Sequence, residues 1–131
     1  MKGIDRLVKE WLDKSQEDLE AALILLNSGK GLEDIVCFHA QQAVEKLLKA
    51  FLISKGISPP KTHDIDLLYE LCVEAGCDFS DLEYTRREIA TLSLYAVEVR
   101  YPDGVIKPSP EKALRAVKMA MALKELVRKQ I

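Results

Sequence analysis

Two histidines, His39 and His63, are the only side chains of this 131-residue chain that change charge near neutral pH without help from their surroundings. Neither has a carboxylate or second histidine at metal-binding helix spacing, and His39-Ala40-Gln41-Gln42-Ala43 is not a zinc helix. The cysteines, Cys37, Cys72 and Cys77, are odd in number and contain no C-x-x-C pair. They are expected as reduced thiols of a cytoplasmic protein, and no metal site is expected from so few, scattered ligands. No nucleophile elbow, phosphate loop or dinucleotide fingerprint occurs, so no catalytic residue and no cofactor is assigned.

Polar contact is the chemistry that the spacing does allow. His39, Gln42, Lys46 and Lys49 follow one another at three or four residues and share one side of a helix. That side is either a solvated face or a polar stripe that meets phosphates or a partner. Thr62-His63-Asp64 precedes a short helix, whose first amides and positive dipole end attract an anion unless Asp64 caps them. Arg100-Tyr101-Pro102 closes a further helix, where the arginine either complements the dipole or makes a bidentate contact with phosphate or carboxylate. Tyr84, Glu88, Thr91, Tyr95 and Glu98 run along one flank, as a helix–helix or subunit contact does. From Lys107 onward seven Lys and Arg face two Glu, but at 100° per residue they spread around the helix instead of forming a nucleic-acid stripe.

The elements that must position these groups are all helical. Ile4, Leu7, Val8, Trp11, Leu19, Ala22, Leu23 and Leu26 recur with helical period, and Gly29 and Gly31 close that segment. Val36, Ala40, Ala43, Val44, Leu47, Leu48 and Phe51 form the apolar arc of a second helix over about 32–55. Gly56 and Pro59-Pro60 end it. Asp64 caps a short third helix that Gly76 terminates. Ser80-Asp81-Leu82-Glu83 reads as a capping box opening a fourth helix that continues to about Val99. Ser109-Pro110-Glu111 opens a fifth. No segment alternates with period two for long enough to be a strand. The expectation is an all-α fold: an up-down four-helix bundle with one short helix between the second and fourth helices, forming a single domain over 1–131.

Composition bounds the partners. A net charge of −2 argues against wholesale capture of nucleic acid or acidic membrane, though not against a local patch. No apolar run approaches the roughly 20 residues of a membrane span, and the acidic residue at Asp5 interrupts any secretory leader. The wide apolar arcs and the Tyr84/Tyr95 flank suggest a homodimer.

At Cys37-Phe38-His39-Ala40-Gln41-Gln42-Ala43-Val44-Glu45-Lys46-Leu47-Leu48-Lys49-Ala50 the chain resembles the HEPN family, the higher eukaryotes and prokaryotes nucleotide-binding domains. Three further elements match in order: Trp11 with Asp18-Leu19 and Ala22, Thr62-His63-Asp64 with Leu67-Leu68, and Tyr95 with Arg100-Tyr101-Pro102. The resemblance covers essentially the whole chain. It implies a four- or five-helix bundle that commonly dimerises and is often paired with a minimal nucleotidyltransferase, in pairs that resemble toxin–antitoxin systems. It also implies that active members cleave RNA without metal through an Arg and a His separated by four to six residues. Here Arg100 is followed by Tyr-Pro-Asp-Gly-Val-Ile-Lys and no histidine occurs after it. The expected role is therefore a non-catalytic one: binding a nucleotide, or docking on a nucleotidyltransferase. His39, Gln42, Lys46, His63, Arg100 and Tyr101 are the expected contacts. The alternatives are a divergent ribonuclease toxin acting on RNA, and a dimeric interaction module without a ligand.

Overall fold

The computed structural model describes residues 2–96 and 107–131. Among these residues five α-helices occur in order: α1 (Lys2–Asn27), α2 (Glu33–Ser54), α3 (Ile65–Glu74), α4 (Arg86–Ala90) and α5 (Pro110–Arg128). A 3-10 helix over Thr91–Tyr95 continues α4 directly. There is no strand among the described residues. The all-α bundle expected from the sequence is the observed architecture.

Local chemistry explains most boundaries. Asp64 accepts the Leu67 amide and so caps α3, while Ser109 accepts the Lys112 amide with Pro110 at the first turn of α5. After α2, Gly56 adopts a φ of +77°, and the amides of Gly56 and Ile57 return to the carbonyls of Ile53 and Leu52. Gly76, at φ +100°, ends α3 in the same way. Both are glycine-dependent left-handed caps that satisfy carbonyls the helix itself leaves unpaired.

The fourth helix departs from expectation. Ser80–Glu83 is a turn, and the capping box forms five residues later, between Thr85 and Glu88. Both stretches have the required S/T-x-x-E spacing, so local sequence leaves two registers. Tertiary contact selects one. Gln130, two residues beyond α5, donates to the Asp78 carbonyl and accepts the Asp78 amide, both at 2.8 Å, and the Asp78 side chain takes the Ser80 amide. These bonds hold the segment as a turn. The fourth helix is correspondingly short: its expected continuation becomes the 3-10 helix over Thr91–Tyr95, and only the expected end at Val99 lies outside the described residues.

Packing centres on α2, which touches α1, α3, the 3-10 helix and α5. Its expected apolar arc is the core: Val36, Ala40, Ala43, Val44, Leu47, Leu48 and Phe51 are all at most 3% exposed. Antiparallel α1 lies close along α2, where the Ser15 hydroxyl donates to the Ala43 carbonyl at 2.6 Å in a buried bond. A side chain larger than alanine at position 43 would have to push α1 away. Ala43→Leu is expected to destabilise by roughly 1–3 kcal/mol through overpacking, measured by chemical denaturation. A change within about half a kcal/mol, as at a surface site, would show that the seam has room.

Candidate functional site

Two carboxylates, the buried Glu45 and the half-buried Asp18, neither singled out as a contact from the sequence, organise the polar side of α2. Asp18 of α1 accepts from Lys46 Nζ at 2.5 Å and pairs with His39 Nδ1 at 2.9 Å. Glu45 of α2 accepts from Lys49 Nζ at 3.0 Å and Gln41 Nε2 at 3.0 Å, and pairs with His63 Nδ1 at 2.8 Å. Gln42 in turn donates to Gln41 Oε1 at 2.7 Å. Each acid thus holds one histidine and one lysine. A carboxylate only accepts, so each imidazole carries its proton on Nδ1, leaving Nε2 as the second functional nitrogen.

Helix geometry sets this arrangement. Gln41, Glu45 and Lys49 are four residues apart and lie on one side of α2, and His39 and Lys46, seven apart, lie on the adjoining side against α1. His63 reaches Glu45 from the loop between α2 and α3. That loop is fixed by the Asp64 cap and by the Ile65 amide, which donates to Ser93 Oγ at 2.8 Å.

Electrostatically the site is balanced. Burial pushes the Glu45 carboxyl up, but hydrogen bonds from His63, Gln41 and Lys49, with the lysine's charge, outweigh it and hold the group below its usual range. Lys46 and Lys49 are therefore engaged by internal acids. Lys49, placed by its spacing on a solvated face or a polar contact stripe, is instead buried: its side chain is 9% exposed and its ammonium lies 5.8 Å from the Trp11 ring centroid. The reason is topological, since a helix enclosed by α1, α3, the 3-10 helix and α5 has little of its middle left to solvent.

Of the expected contacts, His39 and Lys46 meet through Asp18, and His63 and Gln42 join through Glu45 and Gln41. Arg100 and Tyr101 lie outside the described residues. The anion site expected at the start of α3 is not open, because the Asp64 carboxylate and Ser93 hydroxyl already take the Leu67 and Ile65 amides. Asp18 and Glu45 had a legible signal: acids placed at helical spacing opposite, or four residues from, a lysine.

The other expected features are structural. Tyr84 and Tyr95 are half-buried against the core, with the Arg115 guanidinium over the Tyr84 ring, and Glu88 pairs with Arg115 of α5. Cys37, Cys72 and Cys77 are buried free thiols, pushed up by burial to about 11, 12 and 11. Thiols with such values supply little thiolate near neutral pH. Among the described residues no cluster of three His, Cys, Asp or Glu is placed to hold a metal, and no helix is long and apolar enough to cross a membrane.

The comparisons agree with this architecture. The crystal structure of TT1696 from Thermus thermophilus superposes with a TM-score of 0.73 at 25% identity, covering 95% of this chain and 98% of that one. No curated protein is similar enough to count as a match. The HEPN domain matches residues 8–130, nearly the full length, and the chain therefore belongs to the HEPN domain family.

Proposed function

We propose that this HEPN domain is a binding module rather than an enzyme. It takes a nucleotide, alone or at a site completed by docking on a minimal nucleotidyltransferase, in a toxin–antitoxin-like pair. The observation that carries this reading is His63. Its Nδ1 is fixed on a nearly buried carboxylate, yet 64% of its side chain is exposed, so Nε2 is offered to solvent in a set orientation. His39 is held in the same way on Asp18, with 26% of its side chain exposed. With Nδ1 donating to its carboxylate, such an imidazole meets a phosphate oxygen in its cationic form, in which Nε2 also carries a proton to donate, and the lysines behind it hold the carboxylates rather than the ligand.

Calorimetry with a nucleotide panel, with and without the nucleotidyltransferase, tests the proposal. Binding is expected to weaken as salt rises, and His63→Ala and Arg100→Ala are each expected to cost roughly 1–3 kcal/mol of affinity. Absence of binding at millimolar nucleotide in both settings would remove the reading.

A divergent ribonuclease is the second reading, because histidine held by a carboxylate is also how a general base is positioned. Cleavage of RNA by the purified protein, abolished by Arg100→Ala, would favour it. The homodimer is part of the proposal. Leu94 and Ile24 remain 81% and 70% exposed, more apolar surface than this bundle covers. Light scattering at high micromolar concentration should give twice the 14.7 kDa chain mass, and the monomer mass would overturn it.

A further inference from the structure

Beside the Glu45–His63 cluster, a groove of about 510 Å³ opens between the first half of α1 and the loop that follows α2. Trp11, Ile53, Pro59 and Pro60 supply apolar wall, and Lys61 supplies the charge, Lys49 being already paired with Glu45. Among the described residues no acidic side chain lines it. Leu7 and Ile57, which also line the groove, are left 42% and 39% exposed. The volume is that of a small-molecule site, and the wall combines apolar and cationic groups. Through Lys49 the groove is continuous with the site: the ammonium stands 5.8 Å from the Trp11 ring centroid and 3.0 Å from Glu45, the carboxylate that holds His63. Lys61 lies two residues before His63 on the same loop.

We propose that this groove receives the base of the nucleotide against Trp11, with the phosphate directed to Lys61 and His63. The inference rests on the nucleotide-binding reading and locates the ligand within it. A flat aromatic body fits the apolar wall, and the exposed Lys61, with no acid among the described lining residues, favours an anionic group at the loop end.

Trp11 is the chain's single tryptophan, so its emission reports the groove directly in the unmodified protein. The probes are the four ribonucleoside 5′-monophosphates, the matching nucleosides and inorganic phosphate. At least one monophosphate should change Trp11 emission saturably, and its nucleoside should give the same change at about tenfold higher concentration. Lys61→Ala, at an exposed position, should weaken the monophosphate about tenfold and leave the nucleoside unaffected. If calorimetry detects nucleotide while Trp11 emission and Lys61→Ala affinity stay unchanged, the groove is not the site, and the nucleotide reading stands without it. Equal binding of nucleoside and monophosphate, insensitive to Lys61→Ala, would overturn the phosphate assignment. No binding of any probe at millimolar concentration, with or without the nucleotidyltransferase, would overturn both.

Discussion

Glu45→Ala is expected to lose roughly 3–5 kcal/mol of unfolding free energy in chemical denaturation at neutral pH, the range for breaking a buried ion pair from one side. The variant leaves the Lys49 ammonium without its acceptor at a side chain that is 9% exposed, and leaves the fully buried Gln41 amide without its partner. Replacing Glu45 and Lys49 together by leucine should recover much of the loss, because the cost lies in the stranded charge rather than in the absence of the pair. A loss under about 1 kcal/mol for Glu45→Ala would mean that this carboxylate behaves as a surface group.

Acid provides an independent reading of the same group. The folded chain holds the Glu45 carboxyl below its ordinary value of 4.5, so the unfolded chain binds that proton more readily. Its stabilising contribution is complete above the ordinary carboxylate range and is lost as pH falls through the lowered folded value. The stability gap between the wild type and Glu45→Gln should therefore narrow on acidification across that window. A gap that stays constant from neutrality to strong acid would contradict the assignment.

Phe51→Ala should cost a similar amount, about 3–5 kcal/mol, by leaving a cavity at the centre of the bundle. Phe51 is 1% exposed and belongs to the main core cluster, on the helix that α1, α3 and α5 all touch. With rigid helices on several sides, the hole cannot close by moving one neighbour. Phe51→Leu keeps more of the volume and should lose less. Denaturant midpoints measured on both variants decide the point. A loss below about 1.5 kcal/mol for the alanine variant would show that the core around α2 relaxes.

Much of this protein is determined by neighbours in sequence. The helical period of α1, α2 and α5, the Asp64 and Ser109 caps and the glycine stops at Gly56 and Gly76 each depend on contacts within one or two turns. The grouping of His39, Gln42 and Lys46 on one side of α2 is equally local, being a matter of 100° per residue. Three features depend on chain separated by many residues. The fourth helix begins at the Thr85 box rather than at Ser80, because Gln130, just after α5, holds Asp78 in a turn. Lys49 lies beneath the surface because α2 is enclosed, which no property of α2 alone reveals. The anchoring of each histidine joins α1 or the loop before α3 to α2, through Asp18 and His39 and through Glu45 and His63. Periodicity specifies which side of a helix a residue occupies. Whether water, a carboxylate or an indole stands opposite is decided only when the helices pack, since burial and charge pairing are properties of the assembled bundle.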